Sequence, residues 1–269
     1  MIFNLSMPVL KPKGPTASLT AQSGITYTNG ISGISAEKMS LYAELISNNA
    51  SITNKTSVVY IDDGANHYKV SIGDQVTLSL NGTNYAFDVI GFNHDTLATS
   101  TAYGTNTNTG KAGITFQMHD LFATYYPMNS SNTNSGGWKN SAMRTSTMAT
   151  MKSYLPSAWQ AVIKPVNKTS GTGGGSTSGT ETVSDSCFLL AEIEMFGSTT
   201  YSVSGEGTQY AYYKAGNSKV KNMSGSASHW YERSPRSGYT QDFCMVSKYG
   251  DASASNGTLR PGVAFGFCV

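Results

Sequence analysis

A regular alternation of apolar and polar residues predicts one β-hairpin in the first third of the chain. Apolar side chains occupy every second position over 76–80 and again over 85–89, and Asn81-Gly82 lies between the two runs. This pair tolerates the positive φ angles that a two-residue turn requires. The turn places Leu78 opposite Tyr85, so that both apolar rows fall on one face of a sheet.

Other apolar segments predict further elements. Short runs indicate strands at 58–61, 243–247 and 263–267, with a Gly/Ser/Asn-rich loop after the second of them. Helical spacing of apolar residues predicts a helix over 36–48, with Ser35 as its N-cap. A second helical region extends over 139–163 and is broken at Pro156.

The pattern at the N-terminus differs from the rest. Residues 1–33 contain Pro8, Pro12 and Pro15 and show no periodicity, which is typical of an extended arm. Such an arm would attach a subunit to an assembly, and a disordered terminus is an equal alternative. We therefore divide the chain into an arm and helix over 1–55, for attachment or oligomerisation, and one domain over 56–269.

A Gly- and Ser-rich run at 168–181 is the clearest candidate for a flexible loop within that domain. It lacks the Gly-Lys-Ser/Thr ending and the strand-loop-helix context of a phosphate-binding loop. We predict an exposed insertion rather than a boundary between two domains.

The composition indicates a surface that forms hydrogen bonds more than it carries charge. Charged residues make up 13% of the chain, against roughly 25% in an ordinary soluble domain, and 16 residues are tyrosine. A net charge of +2 without a cluster of Lys or Arg argues against nucleic acid as a partner. No apolar run approaches the roughly 20 residues of a membrane span, so membrane insertion is not expected. The N-terminus lacks the features of a signal peptide, and we expect synthesis in a cytoplasm without export by the usual route.

Residues able to bind a metal ion are scattered along the sequence. Cys187, Cys244 and Cys268 are widely spaced, which indicates buried, reduced cysteines rather than a disulfide framework or a zinc site. His94-Asp95 and His119-Asp120 suggest a metal site, but with only four histidines in the chain we interpret them as loop and capping residues. We therefore predict no metal and no cofactor.

Glu192 and Glu194 lie in the apolar segment 188–197, which has strand or short-helix character. Two carboxylates on one face of a strand can act as a general acid and base. No other residue marks them as catalytic, and ion pairing with nearby Lys or Arg is the favoured interpretation.

Several motifs together resemble a domain family found in bacteria and their phages, over about residues 65–269. The motifs are I-G-D (72–74), F-D-V-I-G-F-N-H-D (87–95), G-G-W-K-N-S-A-M-R (136–144), Y-L-P (154–156), F-L-L-A-E-I-E-M-F-G (188–197), W-Y-E-R-S-P (230–235) and L-R-P-G-V-A-F (259–265). That family is similar to the C-type lectin fold of formylglycine-generating enzymes and of variable phage receptor-binding proteins. The resemblance implies an α+β fold with a small twisted antiparallel sheet, two helices and long irregular loops. It also implies that Trp230, Arg233, Arg260 and Pro261 hold these loops in place.

The same resemblance indicates where a ligand would bind. In the phage receptor-binding proteins, the segment before the R-P-G-V closure displays changeable residues on a rigid scaffold. Small polar residues and Tyr at these positions suit adaptable hydrogen bonding around aromatic anchors. The predicted binding residues are Tyr231, Tyr239, Gln241, Asp242, Ser247, Tyr249, Asp251, Ser253, Ser255 and Asn256.

These observations favour a non-enzymatic virion protein of the tail- or head-fibre or receptor-binding type. We expect its partners to be a host-surface glycan or protein, other virion proteins bound through the N-terminal arm, and further copies of itself, with a trimer favoured. A capsid decoration protein without a receptor role is one alternative. The other is an oxidase of the formylglycine-generating type, although Cys244 and Cys268, its only candidates, do not form a recognisable pair. Bacterial cytoplasm and cell surface are the alternatives to a location in the virion.

Overall fold

A computed structural model describes residues 14–100, 102–104 and 109–269, which form an α+β protein of small sheets and short helices. The strands are β1 (Thr16–Ser18), β2 (Thr28–Asn29), β3 (Val58–Asp62), β4 (His67–Ser71), β5 (Gln75–Leu80), β6 (Thr83–Phe92), β7 (Ile114–Met118), β8 (Val166–Gly171), β9 (Thr180–Asp185), β10 (Cys187–Phe188), β11 (Lys221–Met223), β12 (Ser226–Ser228), β13 (Trp230–Pro235), β14 (Asp242–Val246), β15 (Ala252–Asn256) and β16 (Gly266–Cys268). The α-helices are α1 (Ala36–Ser47), α2 (Gly137–Asn140), α3 (Met148–Tyr154), α4 (Ser157–Val162), α5 (Glu192–Phe196) and α6 (Ala211–Lys214), and a π-helical segment, Met143–Thr147, leads into α3. In the described part of the chain, no helix combines the length and apolarity needed to cross a bilayer.

The central sheet has five strands in the order β10-β16-β7-β6-β5. It contains the predicted hairpin, with Leu78 paired to Tyr85. Asn81 and Gly82 form the turn with φ angles of 48° and 85°. Phe87 projects from the hairpin into the core, where its ring centroid lies 5.4 Å from that of Phe267 on β16. The register predicted from alternation is confirmed.

The N-terminal residues join a second sheet, of order β1-β3-β4-β2. Because β1 pairs with β3, this sheet runs across the boundary proposed at 55/56. Helix α1 begins as predicted, with the Ser35 side chain accepting from the Lys38 N–H at 3.3 Å. The helix packs tightly on the rest of the protein, since a Cβ at Gly113 would lie 1.9 Å from the Ala43 carbonyl oxygen. Residues 1–13 of the predicted arm lie outside the described residues, and 14–33 contributes the short strands β1 and β2 to this sheet.

The second helical region is interrupted where the sequence indicates, because α3 ends at Tyr154 and α4 begins at Ser157, directly after Pro156. One other predicted element was wrong in extent, since the closing strand begins at Gly266 rather than at 263. The segment 188–197 takes the short-helix alternative over Glu192–Phe196, and only Phe188 of it is in a strand. Glu192 and Glu194 therefore lie on helix α5 and do not share a strand face.

The prediction of a flexible loop over 168–181 was wrong at both ends. Residues up to Gly171 belong to β8, residues from Thr180 belong to β9, and the two strands pair as a hairpin. Lys168 is 2% exposed, because its ammonium group has carboxylate partners inside the protein. The predicted loop after residue 247 was also wrong in part, since 252–256 is strand β15, paired along its length with β14.

Candidate functional site

A buried ion cluster, formed by Asp95, Lys168, Glu194, Tyr210 and Arg233, lies where several short elements meet. The Lys168 Nζ atom is 2.7 Å from Asp95 Oδ1, 2.8 Å from Glu194 Oε1 and 3.0 Å from the Tyr210 hydroxyl. The Lys168, Asp95 and Glu194 side chains are 1–3% exposed. Each of the three N–H donors of the Lys168 ammonium group therefore has an oxygen acceptor inside the protein, away from bulk water.

Arg233 holds the other side of Glu194 with two hydrogen bonds, of 2.5 and 2.9 Å. It also donates to the backbone carbonyls of Thr169, Leu189 and Glu206. A guanidinium group has five N–H donors in a fixed plane, so one side chain can fix several loops. The predicted structural role of Arg233 is confirmed.

Two carboxylates face two cations in this cluster. Burial acts to raise the pKa of Asp95, but the charge and hydrogen bond of Lys168 hold it well below its ordinary value. Burial opposes ionisation of Glu194 as well, and the charges of Arg233 and Lys168 bring its pKa below the ordinary value. Both carboxyl groups are therefore ionised at neutral pH, and the cluster is electrically balanced.

A polar cleft of about 290 Å³ opens beside the cluster. His94 lines it, and its ring stacks on Tyr210 with centroids 3.8 Å apart. The Nδ1 atom of His94 is buried and has no hydrogen-bond partner among the described residues, and burial lowers the pKa of this imidazole, so it is neutral at neutral pH. Lys111, at the mouth, donates to Thr96 Oγ1 at 2.7 Å. His94 and Asp95 lie in a loop, as predicted, but Asp95 binds Lys168 and Tyr210 in the buried ion cluster rather than capping an element, and no local sequence pattern links it to either residue.

Three residues of this region, His94, Asp95 and Glu194, are of the types that bind metal ions. One ligand atom each from His94, Asp95 and Glu194 lies within 4.8 Å of the others, a spacing that a cation could bridge. The Lys168 ammonium is already hydrogen-bonded to both carboxylates. A metal ion would have to displace it, and the cluster does not fit one.

A second group of acids, Glu192, Glu206 and Glu232, is buried behind Arg233. Glu192 accepts hydrogen bonds from the backbone N–H groups of Tyr201 and Ser202, at 3.0 and 2.8 Å. Neither carboxyl oxygen of Glu232 has a hydrogen-bond partner in the described part of the chain. Burial, and then the charges of Glu192 and Glu206, raise the pKa of Glu232 well above its ordinary value. Glu232 is therefore a buried acid without a hydrogen-bond partner among the described residues, and the charge of Arg233 only partly offsets the cost of ionising it.

The histidine at 119 forms a separate polar pair with Asp88, at 2.9 Å. Its hydrogen bond to Asp88 raises the pKa of His119, against the effect of burial. The neighbouring Asp120 lies in a loop, as predicted, and accepts from the N–H of Asn222 in β11 at 2.8 Å. A cavity of about 310 Å³, with His119 and Asp120 in its wall, lies beside this pair.

The structure does not bring the predicted binding residues together. Tyr239 and Gln241 precede β14, whereas Tyr249 and Asp251 follow it, so the two pairs are separated by roughly 13 Å of strand at 3.3 Å per residue. All four are exposed. The predicted surface therefore consists of two separate places at opposite ends of the strand.

Other predicted residues hold the backbone. Tyr231 is fully buried and donates its hydroxyl to the Asn256 carbonyl at 2.6 Å, so its prediction as a surface contact was wrong. Asn256 Oδ1 accepts from the Leu259 N–H, and Ser247 Oγ accepts from the Tyr249 N–H. Each stabilises a turn next to β14 or β15.

The half-buried serines of β15 point to the same conclusion. Ser253 is paired to Met245 and Ser255 to Phe243, so their backbones continue the sheet. Asp242 forms an ion pair with Arg236 at 3.0 Å. These positions support the exposed residues rather than forming one continuous binding surface.

The first of the two exposed places is built around Tyr239. We call Tyr201, Arg236, Tyr239 and Asp242 the Tyr239 face. The Arg236 guanidinium lies 3.5 Å from the centroid of the Tyr239 ring and 5.3 Å from that of Tyr201. Tyr239 remains 49% exposed. Among the described residues Asn134 fixes the backbone below, donating to the carbonyls of Tyr239 and Asp242 at 2.8 and 2.7 Å.

Arg236, Tyr201 and Asn134 are not among the predicted binding residues. Arg236 directly follows the motif W-Y-E-R-S-P, and its spacing to Tyr239 was the available signal. Asn134 lies in a polar loop a hundred residues away, and no local pattern connects it to Tyr239.

The three other residues with a predicted structural role had different outcomes. Trp230 is fully buried and donates to the Lys219 carbonyl at 3.0 Å, and Pro261 is buried, both as predicted. Arg260 is exposed, so its predicted role as a buried donor was wrong. The neighbouring proline makes the turn into the core, and the arginine points away from it.

All three cysteines are buried and free, as predicted. Burial raises the pKa of Cys187 to about 12 and those of Cys244 and Cys268 well above their ordinary values. Cys187 pairs with Phe267 across β10 and β16, which places it on the opposite sheet face from Cys268. Cys244 lies in a different sheet.

The fold and the buried ion cluster define an α+β protein whose irregular segments are fixed by internal charges. Residues 112–265 match the family described as a domain of unknown function, DUF6273, and the chain belongs to that family. No curated protein matches the chain, and no solved structure does.

Proposed function

We propose that this protein is a binding module of a phage virion, of the tail- or head-fibre or receptor-binding type, which recognises a glycan or protein on the host surface. The observation that carries the proposal is the Tyr239 face. It presents a large aromatic ring to solvent on a backbone that Asn134 and the ion pair of Arg236 with Asp242 hold rigid. Ordering such a ring in advance reduces the entropy lost on binding.

The chemistry of this face suits a polar surface ligand. Tyr239 offers an apolar ring with a polar hydroxyl, and Gln241 beside it is exposed and can donate and accept hydrogen bonds. Tyr249, which is 74% exposed, offers a second contact at the far end of β14. A multivalent ligand such as a surface polysaccharide would reach both.

The finer fold is part of the proposal. Small antiparallel sheets, short helices and loops fixed by Trp230 and Arg233 are compatible with a C-type lectin-like domain. In this arrangement the N-terminal segment would contact other virion proteins, and the module would act as an oligomer, with a trimer favoured. The alternative of an oxidase with a cysteine pair is disfavoured, because Cys187, Cys244 and Cys268 are buried in two sheets with raised thiol pKa values.

Binding of the full chain to host cells and to a glycan array tests the proposal. Tyr239→Ala is expected to weaken binding at least about tenfold, the loss of roughly 1.4 kcal/mol of contact energy. Tyr125→Ala is the matched control, because Tyr125 is 45% exposed and lies outside the predicted set. Treating the cells with glycosidase or protease distinguishes the two ligand classes. Equal loss in both variants refutes the assignment of the face, and incorporation into particles without any host binding favours the decoration protein.

A further inference from the structure

The contact between Lys168 and Asp95 in the buried ion cluster joins two side chains that can react with each other. We propose that Lys168 and Asp95 form an intramolecular isopeptide bond, with Glu194 as the catalytic residue. The Lys168 Nζ atom lies 2.7 Å from Asp95 Oδ1, so the carboxyl carbon of Asp95 is one bond further away. Two reacting groups that the fold holds in contact need no bimolecular encounter, which lowers the barrier to their reaction.

The backbone holds the two residues in this position. The Asn167 N–H donates to the Thr96 carbonyl at 2.8 Å, and Leu97 forms an antiparallel bridge with Val166. The segments that carry Asp95 and Lys168 therefore run side by side. An amide bond between the side chains would not require either segment to move far.

Glu194 is placed to transfer a proton. Its Oε1 atom is 2.8 Å from Lys168 Nζ, and its two hydrogen bonds with Arg233 fix its orientation. We expect one ammonium proton to pass to Asp95 Oδ1 along their hydrogen bond, which gives a neutral amine and a neutral carboxyl group. The amine nitrogen then attacks the carboxyl carbon of Asp95, and Glu194 takes the next proton from that nitrogen.

The oxygen that becomes negative during the attack already has donors. Thr115 Oγ1 is 2.6 Å from Asp95 Oδ2, and the Tyr210 hydroxyl is 2.9 Å from the same atom. Burial raises the pKa of Tyr210 well above its ordinary value, so its hydroxyl stays protonated and can donate. Donors fixed on a developing oxyanion lower the barrier of acyl transfer.

The reaction balances without another reactant. Lys168 Nζ begins with three protons and Asp95 with an ionised carboxylate. The bond from Nζ to the carboxyl carbon forms, the bond from that carbon to Oδ1 breaks, and two of the three protons move to Oδ1, the first directly and the second through Glu194. The products are one amide and one water molecule, and Glu194 ends as it began.

The surroundings favour the amide over the ion pair. Lys168 Nζ also lies 4.2 Å from the centroid of the Phe188 ring, and the reacting side chains are 1–3% exposed. An amide is neutral and has a smaller desolvation cost than two buried charges. The cleft next to His94 and Lys168 provides a route by which the water molecule can leave.

Intact mass spectrometry of the full chain tests the proposal directly. The purified protein is expected to be one water molecule lighter than Lys168→Met measured in the same way, after allowing for the change of residue. Proteolysis of the wild type should yield one branched peptide that contains both Asp95 and Lys168. A wild-type mass with no water lost, after prolonged incubation of the folded protein, overturns the proposal.

Two further variants test the roles of the reacting groups. Asp95→Asn should release ammonia in place of water and give a product of the same mass as the cross-linked wild type. Glu194→Gln should keep the full mass, because an amide cannot carry the proton. A cross-linked Glu194→Gln protein overturns the role of Glu194. The wild-type mass and the branched peptide remain decisive if a variant does not fold.

Discussion

Replacing Glu232 by Gln should make the protein more stable at neutral pH. Both carboxyl oxygens of Glu232 are buried without a hydrogen-bond partner among the described residues, and the side chain lies near Glu192 and Glu206. The unfolded chain ionises this group with a pKa of about 4.3, whereas the folded protein keeps it protonated to a higher pH. Because the pKa is raised on folding, the favourable contribution of the acid is fully present below about pH 4.3 and is lost as the pH rises.

The magnitude follows from proton linkage. Between the two pKa values, stability falls by up to about 1.4 kcal/mol for each pH unit. Glutamine has nearly the same shape and never ionises. We therefore expect Glu232→Gln to be about 1–3 kcal/mol more stable than the wild type at about pH 7, with no advantage at about pH 4.

Urea unfolding between pH 4 and pH 8 measures this difference. Glu192→Gln is the matched control, since Glu192 is equally buried but accepts two backbone N–H donors. That substitution weakens two charge-assisted hydrogen bonds and should destabilise the protein. A gain for Glu232→Gln that is the same at every pH, or a loss near pH 8, would refute the argument.

Three other outcomes are expected. Arg233→Met should lower the free energy of unfolding, measured in urea, by about 3–5 kcal/mol, because Glu194 keeps only one cation and several buried carbonyl groups lose their donors. A decrease below about 1 kcal/mol would contradict this structural role of Arg233. Gly82→Val should lower the free energy of unfolding by about 1–3 kcal/mol, because a β-branched residue is strained at the φ angle of 85° found there. Thr83→Val is the control, and equal stability of the two variants would contradict this reasoning. His119→Gln should lower the thermal stability more at about pH 5.5 than at about pH 8, because the pKa of His119 is raised on folding and its charged form stabilises the folded protein at low pH. An equal decrease at both pH values would refute the raised pKa.

The elements that sequence predicted well depend on residues close to one another in the chain. The hairpin at 75–92 follows from alternation and from the conformational freedom of Asn81-Gly82. Helix α1 follows from apolar spacing and the Ser35 cap, and the end of α3 follows from Pro156. In each case the determining interaction is a backbone preference or a contact within one element.

The candidate site was less predictable, and Lys168 shows why. A lysine at the start of a Gly- and Ser-rich run has the composition of an exposed loop. Its burial is favourable only because Asp95 and Glu194 arrive from distant segments to offset the loss of hydration. Strand β15 is a similar case, since its serines and alanines form a strand by pairing with β14.

Sequence by itself determined the local elements, the low charge and the motifs around Trp230 and Arg233. Tertiary structure alone decided which charges are buried together, which exposed residues lie next to one another on the surface, and that Tyr231 faces the interior. The physical reason is the range of the interactions. Backbone preferences act over a few residues, whereas the energy of a buried charge depends on partners that only the complete fold brings within hydrogen-bond distance.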